Sequence, residues 1–168
     1  MRPARPPIGL HLTRAARSVS RAFDEALADA GGSLPMWLVL VNLKANPRAS
    51  QREIAEAMGV TEATLTHHLN GMDTGGIITR RRDPTNRRVH LLELTATGEA
   101  AFTRLRGAAV AFDRRLRRGV TDKEIGQLQG LLDRLAANVG TELDRTPPWA
   151  GLVEGRRPRE DSNLRRTV

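Results

Sequence analysis

The sequence has no cysteine, and only two of its 27 basic residues, Lys44 and Lys123, are lysines. The absence of cysteine excludes disulfides, thiolate metal sites and thiol redox sensing. No apolar run approaches the roughly 18 residues that a membrane-spanning helix needs. The first residues, 1–3, are not followed by a signal-peptide core. We therefore expect a cytoplasmic protein with no membrane partner.

What the chain has instead is arginine. Its 168 residues carry a formal net charge of +8 and a pI of about 11.4, which favours a polyanionic partner. The planar fork of arginine suits phosphate, although a genomic bias toward arginine codons explains the same composition. The length allows one domain, or one small domain with flanking helices, and a sizeable core.

Residues 50–74 carry the signals of two short helices joined by a tight turn. Ser50 and Glu53 form a Ser-x-x-Glu capping box at the start of the first helix. Gly59 stands where the chain must turn sharply, which glycine does without steric cost. Thr61 then caps the second helix. This spacing predicts a helix-turn-helix.

The second of these helices has two contrasting faces. Leu65, Leu69 and Met72 recur at helical spacing and predict a buried face. The other face carries short or polar residues, namely Glu62, Ala63, Thr66, His67 and Asn70. A helix that shows such side chains fits the major groove of DNA and touches base edges there.

A basic hairpin is predicted after this helix. Gly75 and Gly76 end the helix, and residues 77–82 and 87–94 have the composition of two strands. Residues 83–86 form a turn in which Pro84 presets the second position. Residues 80–88 contain five arginines and one aspartate. This concentration of charge predicts a wing that meets phosphates or enters a minor groove.

Amphipathic helices flank this segment on both sides. Apolar residues three and four apart predict helices over residues 8–30, 95–118 and 121–140, and such spacing is the seam along which helices pack. We predict a helical dimerisation module from residues 8–32 and 95–140, and a winged helix-turn-helix DNA-binding domain from residues 33–94. Residues 146–168 read as a disordered or partner-dependent basic tail. The predicted fold is mainly α with a β wing.

Taken in order, these motifs resemble the MarR family (multiple antibiotic resistance regulators) over about residues 8–139. The matching segments are residues 50–55, 59–61, 64–69, 76–78, 83–88 and the Leu-Thr-x-x-Gly junction at 94–98. The resemblance implies a dimeric winged-helix repressor, less often an activator. Many such proteins lose DNA affinity when a small aromatic or phenolic ligand binds between the DNA-binding part and the dimer helices. Asn86 and His67 depart from the usual Asp and Arg of the family, so the usual base preference does not transfer.

The predicted DNA contacts lie in the two helices and the wing. They are Ser50, Gln51, Thr61, Thr64, Thr66, His67, Arg80, Arg82, Arg87 and Arg88. Capping competes with DNA contact at Ser50 and Thr61, and plain surface exposure competes at the other helix positions. Residues 80–82 alternate in direction, so not all three contact DNA.

His11, Met36 and Trp37 are the candidates for an effector pocket, because they lie on the two helices before the helix-turn-helix. Trp37 in an apolar helix is more often plain core. Adjacent histidines on a helix point about 100° apart and chelate poorly, so we expect no metal. We expect no cofactor either.

These features favour a transcriptional regulator, most simply a repressor, that binds a pseudo-palindromic operator as a homodimer. A constitutive or architectural DNA-binding protein without an effector would use the same contacts. An enzyme has no support, because the sequence offers no cysteine nucleophile, no Gly-rich phosphate loop and no convincing His–carboxylate pair.

Overall fold

The computed structural model describes residues 7–82 and 90–141, with Arg82 and His90 described by their backbone only. The described elements are α1 (Ile8–Asp29), α2 (Leu34–Ala45), α3 (Gln51–Met58), α4 (Glu62–Thr74), β1 (Ile78–Arg82), β2 (His90–Leu94), α5 (Ala96–Leu116) and α6 (Asp122–Asn138). The predicted fold class, mainly helical with a β wing, is confirmed. The predicted tail at residues 146–168 lies outside the described residues.

Hydroxyl side chains begin five of the helices. In each case the cap oxygen accepts a hydrogen bond from the backbone N–H three residues on, which satisfies a donor that the helix cannot. The caps are Ser33, Ser50, Thr61, Thr95 and Thr121. The predicted capping box of Ser50 with Glu53 is present, and Thr121 and Glu124 form a second one at the start of α6.

Helix α2 forms the centre of the core. It is nearly continuously apolar, so it is buried on every side instead of along one stripe. Its buried apolar residues are Trp37, Val39, Leu40, Val41 and Leu43. The indole of Trp37 stacks on the ring of Phe102 in α5, with centroids 5.9 Å apart. Helices α3, α4 and α5 and the hairpin pack around α2.

The hairpin is fixed to the start of α5 by a close approach of backbones. β1 and β2 are antiparallel, with Ile78 opposite Leu94. The Thr95 hydroxyl donates to the carbonyl oxygen of Gly76 at 2.5 Å. A Cβ atom on Gly98 would lie 2.1 Å from the carbonyl oxygen of Ile77. Only glycine therefore fits at this position, and the contact sets where the wing begins.

The helices at the two chain ends are covered unequally. Leu27 of α1 and Leu105 of α5 are fully buried in the same core as α2, so the chain itself covers part of the predicted dimerisation helices. The rings of Phe23 and Phe112 lie 5.0 Å apart and join α1 to α5. Helix α6 has no buried residue. Among the described residues, the large apolar side chains that are exposed are Ile8, Leu10, Val19, Leu116, Val120, Leu128, Leu131 and Val139.

Within residues 7–82 and 90–141, no single helix is long and apolar enough to cross a membrane. Only α1 and α2 taken together meet that test, and the pair is bent by 79°.

Candidate nucleic-acid interface

Helix α4 is held so that one face points away from the core. Leu65 and Leu69 are completely buried, which fixes the rotation of the helix about its axis. Thr66, His67 and Asn70 are exposed on the other side. The predicted division of α4 into a buried and a polar exposed face is confirmed, and DNA contact by Thr66 and His67 stays a prediction.

The hydroxyl groups of α4 differ in what they offer a ligand. Thr66 Oγ1 donates to the carbonyl oxygen of Glu62 at 2.8 Å, so its lone pairs and its methyl group remain for a partner. Thr61 Oγ1 accepts from the backbone N–H of Thr64, and the two hydroxyl oxygens lie 2.9 Å apart. Thr61 and Thr64 therefore order the beginning of α4, whose free N–H groups suit a phosphate.

Ser50 is occupied by its capping box. Its hydroxyl donates to Oε2 of Glu53 at 2.8 Å and accepts from the Glu53 N–H at 3.2 Å. The backbone N–H of Ser50, and next its hydroxyl, lower the pKa of the Glu53 carboxyl. Gln51 follows as the first helical residue and is half-buried. Of Ser50 and Gln51, the two predicted DNA contacts at the start of α3, Gln51 is the one whose side chain is not part of the capping box.

The arginines of β1 point in different directions. Arg80 turns toward α4, where Nη2 donates to Oδ1 of Asn70 at 2.5 Å and Nε lies 3.6 Å from Oδ2 of Asp73. The Arg81 side chain is 70 % exposed and lies 3.5 Å from the Glu93 carboxylate. The Arg82 side chain, together with Arg87 and Arg88 at the predicted wing tip, lies outside the described residues.

A cavity of about 280 Å³ lies between the start of α2 and helix α4. Its lining residues are Ser33, Met36, His67, His68, Gly71, Met72 and Ile77. Met36 is therefore in a cavity, as the effector prediction requires. His11 is exposed on α1 and Trp37 is buried in the core, and neither lines this cavity.

The sequence does not single out Gly71 or Asp73 as site residues, and it favours a structural role for His68. His68 and Gly71 line the cavity, and Asp73, near the end of α4, lies beside Arg80 of β1. Their spacing on α4 placed His68 beside the apolar face, but nothing in the sequence showed that α2 and β1 flank the helix there. Among the described residues, no group of three or more His, Asp or Glu side chains is arranged to hold a metal.

Comparisons with known proteins agree with this geometry. The family model described as MarR family matches residues 33–90. A Thauera aromatica protein, assigned as the transcriptional regulatory protein for the hcr operon, is 32% identical over 129 residues, which are 76% of this chain and 78% of that protein.

Solved structures share the fold. The transcriptional repressor CouR bound to a 23-mer DNA duplex superposes with a TM-score of 0.69 at 28% identity, over 77% of this chain and 92% of that one. A mutant of MarR from E. coli in complex with operator DNA gives a TM-score of 0.68 at 21% identity, over 77% and 94% of the two chains.

Proposed function

This chain belongs to the MarR family of DNA-binding transcriptional regulators, and from that premise we propose that it is a homodimeric repressor which a small aromatic ligand releases from its operator. The observation that carries the proposal is the face of α4: its rotation is fixed by Leu65 and Leu69, and its exposed side is short and polar. A helix of this kind enters a major groove with its side chains against base edges.

The exposed apolar side chains of α1 and α6 support a dimer. In α6, Leu128 and Leu131 are 50 % and 49 % exposed, and Leu10 of α1 is 46 % exposed. Exposed apolar side chains that recur along helices mark an association surface. A second copy of the chain supplies the same stripes in a self-complementary interface. Such a dimer presents two α4 helices to half-sites about one helical turn apart on a pseudo-palindrome.

The cavity beside α4 supports release by a ligand. Its volume of about 280 Å³ is near the lower limit of small-molecule pockets, about 300 Å³, and suits a single ring. The thioethers of Met36 and Met72 favour contact with an aromatic ring. The imidazoles of His67 and His68 offer N–H donors to a carboxylate or phenol oxygen.

His67 links the cavity to the DNA-binding face, because it both lines the cavity and is exposed on α4. A ligand that engages His67 favours a state in which this side chain is withdrawn from the groove. Release then follows from the different affinities of the ligand for the two states.

Selection from a pool of random-sequence DNA duplexes, at near-physiological salt, tests the proposal. One recovered inverted repeat is the expected result, with an affinity at least about a thousandfold above that for unrelated duplexes. Recovery of unrelated sequences would contradict site-specific repression and favour a constitutive architectural protein. Adding hydroxybenzoates to the complex tests release, with cyclohexanecarboxylate as the non-aromatic control.

A cavity-filling variant assigns the release to this site. Gly71 lines the cavity, and a Cβ atom there meets nothing within 4 Å, so Gly71→Leu adds a side chain at the cavity wall without a clash at Cβ. DNA binding by Gly71→Leu that no longer responds to hydroxybenzoates is expected. An unchanged response would place the ligand elsewhere.

A further inference from the structure

Arg80 joins the hairpin to α4 instead of pointing away from the protein. It lies on β1 opposite Leu92, and its guanidinium reaches Asn70 and Asp73, which are both in the second half of α4. A cation there faces the negative end of the helix dipole. The contact therefore connects the two elements that are proposed to touch DNA.

The surroundings of Arg80 make it a poor phosphate contact. Its side chain is 27 % exposed, against 70 % for its neighbour Arg81. Its Nε atom is buried, and each arginine has a carboxylate within 4 Å, so exposure is what distinguishes the two. Arg81, one residue further on, has the exposure that a phosphate contact needs.

The bond from Arg80 also decides which way the amide of Asn70 faces. A guanidinium has only donors, so the atom of Asn70 that meets it must be the oxygen. Nη2 of Arg80 lies 2.5 Å from that Oδ1 atom. Asn70 is exposed on the same helix as Thr66 and His67, so with Oδ1 engaged by Arg80 its NH₂ group is the end of the amide that remains for a partner.

We propose that Arg80 is a positioning residue that fixes the hairpin to α4 and holds Asn70 with its NH₂ group toward the DNA, so that Asn70 donates to an acceptor on a base edge. The partners with an acceptor in the major groove are guanine N7 and O6, adenine N7 and thymine O4. The usual two-bond reading of adenine by asparagine needs the amide oxygen as well, and Arg80 occupies it. The inference rests on the proposed function, since it concerns how the same interface reads DNA.

Two substitutions at Arg80 test the orientation of the Asn70 amide, and the salt dependence of binding separates that orientation from a loss of charge. Arg80→Lys keeps a side chain that only donates, so the Asn70 amide stays in the same orientation. Arg80→Gln offers either an oxygen or an NH₂ group, so the Asn70 amide is free to flip. Asn70→Ala removes the donor, and Arg81→Ala removes a more exposed arginine from the same strand as the matched control.

The affinities of the wild type and these variants are measured for the duplex recovered from the random pool, for its single-base-pair variants, and across a range of salt concentrations. We expect Asn70→Ala and Arg80→Gln to lose the same base preference at one position of each half-site, by roughly 3- to 10-fold. Arg80→Lys keeps that preference. The double variant Arg80→Gln with Asn70→Ala loses no more base preference than Asn70→Ala alone. In each of these variants, the slope of log affinity against log salt stays that of the wild type.

A phosphate contact gives a different pattern. Arg80→Gln then weakens binding equally for all sequences, and the slope of log affinity against log salt falls by about 0.9 for each half-site. That result overturns the proposal, and so does an unchanged base preference in Asn70→Ala, an exposed substitution that does not depend on the Arg80 variants folding. If the wild type recovers no motif, the proposed function fails together with this inference. If the wild type recovers a motif but Asn70→Ala and Arg80→Gln keep the wild-type base preference, only this inference fails.

Discussion

The winged-helix segment (residues 33–94) and helix α6 use the same apolar residue types with opposite results. In the segment, Leu40, Leu65 and Leu69 are completely buried by neighbours from the same chain. In α6, Leu128 and Leu131 are about half exposed. Helical spacing is present in both, so the spacing predicts that a face is apolar and leaves open what covers it.

Helices α1 and α5 lie between these extremes. Leu27 and Leu105 are buried in the shared core, while Ile8 and Leu116, nearer the far ends of their helices, are exposed. The division predicted at residues 94 and 95 therefore does not coincide with a boundary of the core. The apolar side chains of α1 and α5 are therefore buried by the chain itself at one end of each helix only. We propose that a partner chain buries those that remain exposed.

The largest expected effect comes from placing charge on the exposed face of α6. Leu128→Glu with Leu131→Glu opposes association because two carboxylates would enter an apolar interface. We expect a monomer by sedimentation, and a loss of DNA affinity of about 100- to 10,000-fold, since two half-sites are no longer bound together. Gln129→Glu is the control and leaves the dimer intact, because its side chain points about 100° and 160° away from those of Leu128 and Leu131 around the helix. A dimeric double variant would remove α6 from the interface.

Truncating one leucine in each region separates cover by the chain itself from cover by a partner. Leu65→Ala leaves a cavity in the core and lowers the free energy of unfolding by about 2–5 kcal/mol in urea titrations, with the dimer dissociation constant unchanged. Leu131→Ala is expected to do the reverse: it raises the dimer dissociation constant and changes the free energy of unfolding of the single chain little. Equal effects of both variants on unfolding and on dissociation would mean that the two regions fold as one unit.

Substitution of Gly71 in α4 and of Gly98 at the start of α5 compares an open position with a closely packed one. Gly98→Ala puts a methyl group against the Ile77 carbonyl oxygen, and we expect a loss of about 1–3 kcal/mol. Gly71→Ala, inside α4 with open space around it, instead gains about 0.5–1 kcal/mol from helix propensity. Thermal unfolding of both variants measures the difference, and a tolerated Gly98→Ala would show that the junction can move.

The smallest expected effect compares the two capping boxes in acid. Backbone N–H groups of Ser50 and Thr121 lower the pKa values of Glu53 and Glu124. Because the pKa is lower in the folded state, the stabilisation is complete above the unfolded value and is lost as the pH falls through the folded value. Amide chemical shifts of Ser50 and Thr121 should follow this titration below the ordinary glutamate range. Glu53→Gln abolishes the change at Ser50 only, and a remaining titration there would assign it to another group.

Sequence reasoning located the helix beginnings because a cap is a local event. Ser50 with Glu53 and Thr121 with Glu124 make their hydrogen bonds within four residues, so the pattern in the chain already contains both partners. The buried side of α4 followed for the same reason from its periodicity. The cavity could not be found in this way, since Met36 and His67 lie on different helices that only the folded chain brings together.

The order of the elements, the caps, the apolar faces and the family to which the chain belongs all follow from the sequence, because each depends on residues close together along the chain or on their order. Only the tertiary structure decided that Arg80 faces Asn70 and Asp73, that Trp37 stacks in the core instead of lining the cavity, and that α1 and α5 are half covered. The direction of a side chain on a strand depends on what packs against that strand. For Arg80 this is helix α4, whose position is set by the buried leucines and not by the neighbours of Arg80 in the sequence.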